Sequence, residues 1–304
     1  MKKLLALLLA LAMVFSLAAC GQAQAVTREA PAAAEEEAPA EEPAPAETEE
    51  PAEPKPEPVG LPAVGDEVNG FIVKEIRDFP LVGGTAVLFE HEKTGAGLVY
   101  IANSDTNRVF DLTFFTRAID NTGLPHVFEH STLDGSEKYP SKALFFNLSY
   151  QTYATYMNAM TQALLTTYPV GSLSEAQLLK YADYYTDSCL HPMILEDESI
   201  FREEAWRYRL EDLDDPLTIE GTLYSEMLGA LDLSFSSHMN ALRTAYPGST
   251  VGNQYGGDPA YIPDMTFESL RNYNELYYHP SNCVGYLYGS FDDYTAILAL
   301  LDEA

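Results

Sequence analysis

His126, Glu129 and His130 carry the clearest chemistry in the sequence, in the string His126-Val127-Phe128-Glu129-His130. On a helix, residues four apart leave the same face, so both imidazoles can address one point. Neutral imidazole nitrogens hold Zn²⁺ well, and a carboxylate beside the ion can take a proton from the water that the ion acidifies. Glu129, three residues after His126, borders that face. The order His-x-x-Glu-His inverts the His-Glu-x-x-His string of many zinc hydrolases. The competing reading is an ordinary helix with two surface histidines. A hydrolytic zinc site needs three protein ligands and an open position for water, so one ligand must come from elsewhere in the chain. The candidates are Glu203, Glu204, Glu220 and Glu226. Glu226 lies mid-helix within Leu223-Tyr224-Ser225-Glu226-Met227-Leu228, where apolar neighbours make a solvated charge the harder reading.

The pattern around this string predicts the elements that must position it. Four strand-like runs come first, Phe71 to Ile76, Thr85 to His91, Gly97 to Ala102 and Val109 to Phe115, rich in β-branched and aromatic residues. They read as an antiparallel meander. Thr122-Gly123-Leu124-Pro125 leads into the His126–His130 helix, and Asp134-Gly135 marks its exit turn. A short helix is expected over Lys142 to Leu148, then a strand pair over Tyr153 to Asn158 and Leu164 to Tyr168. Helical spacing follows from a cap at Ser172 through Cys189, and again over Glu196 to Leu210, Leu217 to Leu231, Ser236 to Tyr246 and Thr266 to Tyr277. A strand over Cys283 to Tyr288 and a helix from Asp292 complete the pattern. The predicted fold is α+β, a mostly antiparallel sheet with helices on one face.

The ends and the composition bound the function. Lys2-Lys3, an apolar run from Leu4 to about Leu17 and then Leu17-Ala18-Ala19-Cys20 have the parts of an export signal. The ending resembles a bacterial lipobox, which implies cleavage before Cys20 and a lipid on its sulfur. Residues 21–60 form a Pro/Ala/Glu tract with ten glutamates between Glu35 and Glu57, opposed by Lys55. Such a tract cannot bury enough apolar surface to fold and is expected to be a disordered, extended tether. Residues 61–304 remain as the folded domain. The expected setting is therefore outside the cytoplasm, on a bacterial membrane reached through the lipid alone. The net charge of −29 argues against nucleic acid as a partner. With Cys20 assigned to lipid, Cys189 and Cys283 could pair or remain two buried thiols. His279 before Pro280 reads as structural, as do His91, His191 and His238, while Trp206 and the tyrosines read as packing.

Thr122 through Ser131 resembles the zinc helix of the pitrilysin/insulinase metallopeptidases, and most of all their presequence-protease branch. The likeness continues at Leu133 through Pro140, Asn158-Ala159-Met160-Thr161, Glu204-Ala205-Trp206-Arg207-Tyr208, Tyr224-Ser225-Glu226-Met227-Leu228-Gly229, Gly256-Gly257-Asp258-Pro259 with Ile262-Pro263-Asp264, and Tyr277 through Asn282. These blocks keep the family's order, and the colinearity is what carries the resemblance. It implies one Zn²⁺ held by His126, His130 and Glu226, with Glu129 as the base and Glu204 as a carboxylate that orients a ligand. It also implies that Asn158, Ala159, Met160 and Thr161 belong to an edge strand that pairs with an extended peptide. Asp134 stands where such proteins often carry Cys or a small apolar residue, Ser225 where Asn is common and Ala205 where Gly is common.

The resulting expectation is a zinc endopeptidase acting on unfolded or short peptides. Relatives of this kind are several times longer and close two halves around the peptide. The chain ends at Ala304, so the resemblance predicts either a piece of a longer protein or a short form that binds zinc but cleaves poorly without a C-terminal half, in the same chain or another. The alternatives are a lipoprotein that captures peptide or zinc without turnover, and one half of a two-part peptidase.

Overall fold

A computed structural model describes residues 58–142, 144–231 and 233–304. The expected signal segment, Cys20 and nearly all of the tether lie outside the described residues. Among the described residues, the main sheet has nine strands: β1 (Glu67–Val68), β2 (Phe71–Phe79), β3 (Gly84–His91), β4 (Gly97–Ala102), β5 (Arg108–Phe114), β6 (Ala154–Met157), β7 (Met160–Thr161), β8 (Thr166–Ser172) and β11 (Cys283–Gly289). A separate ribbon pairs β9 (Arg207–Arg209) with β10 (Thr218–Glu220). The helices are α1 (Leu124–Thr132), α2 (Leu144–Gln151), α3 (Glu175–Leu190), α4 (Glu198–Glu204), α5 (Thr222–Gly229), α6 (Leu233–Ala245), α7 (Phe267–Tyr277) and α8 (Thr295–Glu303).

The α+β class and the mostly antiparallel sheet agree with the sequence reading. The simple meander does not. β11 inserts between β4 and β5, parallel to β4 and antiparallel to β5, giving the order β1-β2-β3-β4-β11-β5-β8-β6 with β7 also on β8. Nothing local to β4 and β5 signals this, because the inserted strand lies far along the chain. Register places Val87, Phe89, Leu98, Tyr100, Phe110, Leu112, Phe114, Tyr168 and Val170 on one face, all buried. α3 packs there against β5 and β8, and α8 packs on α3.

Three helix expectations need correcting. α3 begins at Glu175 with Ser174 as its cap, since β8 runs on through Ser172. The stretch expected as one helix over Glu196 to Leu210 ends at Glu204 and becomes β9. The stretch from Leu217 starts as β10 before α5 begins at Thr222. In both cases antiparallel backbone pairing of the two segments takes the place of the helix, and Arg207 and Arg209 reach Glu220 across the ribbon at 2.7 and 3.1 Å. The cap of α7 is as expected, Thr266 and Ser269 forming a reciprocal capping box. Cys189 and Cys283 are free and buried.

On the other face of β5, Asp111 is buried and accepts hydrogen bonds from the hydroxyls of Thr113 and Thr167. Burial outweighs those bonds and pushes its carboxyl up to about 6. A carboxyl raised above its ordinary value stabilises the fold when protonated and loses that contribution as pH rises through the folded value. The stability difference between wild type and Asp111→Asn is therefore expected to shift by roughly 2 kcal/mol in favour of the variant from pH 4 to pH 8. Urea unfolding across that range checks this, and parallel curves would contradict it.

Candidate metal centre

α1 starts at Gly123, whose φ of 85° is in the left-handed region, and Pro125 lies in its first turn. Residues Val127 and Phe128 are wholly buried. Phe128 packs on Tyr278 with ring centroids 4.0 Å apart, and Tyr278 stacks on Phe114 of the sheet at 4.7 Å. This aromatic column fixes the rotation of α1 and turns its opposite face, bearing His126 and His130, toward α4 and α5.

Each imidazole is held by one nitrogen. His126 Nδ1 lies 3.0 Å from the carbonyl oxygen of Gly256, which can only accept, so Nδ1 carries the proton and Nε2 keeps its lone pair. His130 Nδ1 lies 3.2 Å from Glu204 Oε2, a carboxylate oxygen to which it donates, so this ring too is held through Nδ1 with Nε2 turned the other way. The two Nε2 atoms face Glu226, at 3.7 Å from His126 and 3.4 Å from His130. One donor atom from each of these three residues lies within 4.8 Å of the others. This set suits a tetrahedral zinc ion with a fourth position left for water.

The electrostatics also call for a cation between these groups. Burial and the neighbouring His130 lower the pKa of His126. Burial would lower that of His130 too, but its hydrogen bonds to Glu204 and Glu226 override this and raise it to about 10. Glu226 is held below its ordinary value, first by the hydrogen bond to His130. A proton on His130 thus takes the place that a metal ion would fill.

The four carboxylates left open by sequence spacing are separated by their partners. Glu220 is taken by Arg207 and Arg209, and Glu203 pairs with Lys142 at 3.0 Å. Glu204 sits on the outer nitrogen of His130, its other oxygen accepting from Thr222 Oγ1 at 3.2 Å. Glu226 alone of the four faces both Nε2 atoms. Its apolar neighbours in sequence do not shield it: its side chain is 52% exposed, whereas that of Glu204 is 13% exposed. Glu226 projects from α5 toward the imidazoles at an open mouth instead of being enclosed by its apolar neighbours. Glu129 is 9% exposed and close enough to both imidazoles to raise their pKa.

Asn158, Ala159, Met160 and Thr161 lie at the sheet margin beside α1. Thr161 donates from its hydroxyl to the Pro125 carbonyl at 3.3 Å, and Tyr185 donates to the Asn158 carbonyl at 3.1 Å. Among the described residues, β6 and β7 pair with β8 and with no strand on their other side. The Gly256 carbonyl escaped sequence reading because it is a backbone atom brought in over 130 residues. His279 hydrogen-bonds Ser281 at 2.7 Å and His91 is buried against Thr94 and Asp302; neither belongs to the three-donor set.

No family model matches the chain. It is 38% identical over 225 residues to protein HypA of Clostridium perfringens, covering 74% of this chain and 23% of that protein. It is 37% identical over 238 residues to a mitochondrial presequence protease of Aspergillus oryzae (75% and 23%), and 36% identical over 234 residues to that of Mus musculus (75% and 22%). The chain belongs to the pitrilysin/insulinase family. Its match lies in the presequence-protease branch, and it spans less than a quarter of the length of these relatives. The crystal structure of pitrilysin shares the fold, with a TM-score of 0.58 at 17% identity over 78% of this chain and 24% of that one.

A Cβ at Gly123 would lie 2.7 Å from Gly257 Cα and 2.9 Å from the Gly256 oxygen that holds His126. Gly123→Ala is therefore expected to cost about 2 kcal/mol or more, from left-handed strain plus backbone overlap. It should also weaken zinc binding. Thermal unfolding and a zinc titration check both; unchanged values would contradict the coupling between this turn and His126.

Proposed function

We propose that the chain is the catalytic portion of a zinc-dependent endopeptidase acting on unfolded or short peptides, with His126, His130 and Glu226 as ligands. The observation that carries this reading is the convergence of two Nε2 atoms and one carboxylate, each imidazole being fixed from behind through Nδ1. Zinc bound there supplies a Lewis acid that acidifies water and polarises a carbonyl. Glu129 accepts the proton of the attacking water and returns it to the departing amine. The open margin of β6 and β7, including Asn158 to Thr161, aligns an extended peptide by main-chain pairing, which tolerates many side-chain sequences. The exposed side of Glu226 leaves the approach open to water and substrate.

The reading extends to the parts not described. An export signal over residues 1–20, a lipid on Cys20 and the tether over 21–60 would hold the domain outside the cytoplasm of a bacterium; the support is the sequence of those segments. A C-terminal half, in the same or another chain, would complete the substrate chamber. The 304-residue chain alone is therefore expected to bind zinc yet cleave poorly.

Glu129→Gln keeps the shape of the side chain and removes the base. It is expected to retain one zinc per chain and to lower cleavage of an unstructured peptide by about 10²–10⁴-fold. Loss of zinc from this variant, or unchanged cleavage, would contradict the role given to Glu129. Zinc binding without cleavage in both forms, even with a C-terminal half supplied, would favour a capture protein.

A further inference from the structure

We propose that Gln254 is a positioning residue for the metal centre: it holds the peptide joining Gly256 to Gly257, whose carbonyl oxygen fixes the His126 ring. The proposal rests on the reading that His126 is a zinc ligand.

The acceptor behind His126 belongs to the least constrained kind of backbone, two successive glycines. The space demands them. A Cβ at Gly256 would lie 3.1 Å from Met227 Sδ, and Gly257 has a left-handed φ of 97°. No side chain of their own can therefore restrict this carbonyl, and Gln254 does so with two acceptors. Its side-chain oxygen accepts from the Gly256 N–H at 3.2 Å, and its main-chain oxygen accepts from the Gly257 N–H at 3.1 Å. In a planar trans peptide the N–H and the C=O point opposite ways. Holding the Gly257 N–H thus aims the Gly256 oxygen away from Gln254 and at His126 Nδ1, 3.0 Å off. The side-chain bond fixes the peptide on the other side of Gly256, so this glycine loses its freedom about both φ and ψ.

Gln254 is itself tied down. It is buried, and its N–H donates to Asn121 Oδ1 at 2.9 Å. The Asn121 carbonyl in turn accepts from the Asp258 N–H at 2.9 Å. Arg243 of α6 donates to Asp258 Oδ2 at 3.2 Å and to Asn121 Oδ1 at 3.4 Å. Asn121 stands two residues before Gly123, where α1 starts. Both ends of residues 254–258 are thus fastened to the segment leading into α1, and the carbonyl keeps its place relative to the ring. A group behind a metal-ligating imidazole sets its tautomer and orientation, and losing such a partner commonly weakens metal binding by about 10–100-fold. Gln254 extends that support by one residue. Without its side-chain oxygen the Gly256 N–H is buried with no partner, and Gly256 can turn its carbonyl off the ring.

Gln254→Met keeps the length of the side chain and removes the oxygen. Two quantities are read on the full chain for wild type, Gln254→Met and His126→Ala. One is zinc affinity, by competition with a chromophoric chelator. The other is the ring N–H signals of isotope-labelled histidines in the zinc-free protein, by nuclear magnetic resonance. Gln254→Met is expected to bind zinc about tenfold or more weakly. It is also expected to lose the His126 Nδ1–H signal to exchange with water, while that of His130, held by Glu204, persists. A merely structural role would move both rings or neither. The proposal is overturned if the variant keeps either wild-type affinity or the His126 signal, or if both rings change alike. Should circular dichroism show Gln254→Met to be unfolded, amide exchange in wild type decides. Slow exchange at both Gly256 and Gly257 supports the proposal, and free exchange at either overturns it. Tight wild-type binding that His126→Ala abolishes leaves the zinc reading intact even where the role of Gln254 fails. Weak wild-type binding, unaltered in His126→Ala, sinks the zinc reading itself and the proposal with it.

Discussion

Everything at the centre depends on each imidazole of α1 being held through its outer nitrogen. An unheld ring could rotate or change tautomer, and its Nε2 lone pair would not point anywhere in particular. The Gly256 carbonyl and the Glu204 carboxylate remove that freedom at 3.0 and 3.2 Å. With both rings fixed, a single carboxylate on α5 is enough to complete a three-donor set. The remaining architecture can be understood as the means of bringing those two acceptors behind α1. One arrives on a loop that packs on the glycine at the start of the helix, and the other at the end of α4, next to the ribbon that leads to α5.

The sheet contributes rigidity rather than chemistry. The aromatic column Phe114, Tyr278, Phe128 transmits the position of β5 to the buried side of α1. Tyr168, which hydrogen-bonds Tyr278 at 2.9 Å, adds a polar tie inside the same column. Because interiors are close-packed, a helix anchored in this way cannot rotate without moving several rings. The side of α1 that bears His126 and His130 can therefore remain half-open to solvent without losing its geometry. The negative groups around the imidazoles, Glu129, Glu204 and Glu226, favour a positive charge at the Nε2 atoms, and a proton on His130 meets that demand when no metal does.

Much of this was legible in the sequence because it depends on local spacing. The i, i+4 imidazoles, the glycine-proline entry to α1, the capping box of α7 and most strand runs need only neighbouring residues to be recognised. What could not be read was set by distant partners. β11 takes its place between β4 and β5 through pairing across 169 to 187 residues. β9 and β10 stand where helical spacing predicts helix because the two segments pair with each other through their backbones. Glu226, whose apolar neighbours in sequence speak against a solvated charge, is the most open member of the donor set; its distinction is direction, which sequence does not encode. The segments before residue 58, which carry the expected export signal and tether, lie outside the described residues.

The most direct test of the central claim is anomalous diffraction at the zinc absorption edge from crystals of the chain grown with one equivalent of zinc. The account predicts a single strong site bonded to Nε2 of His126, Nε2 of His130 and a carboxylate oxygen of Glu226, with both Nδ1 contacts retained. A strong site elsewhere, or coordination through either Nδ1 atom, would contradict it.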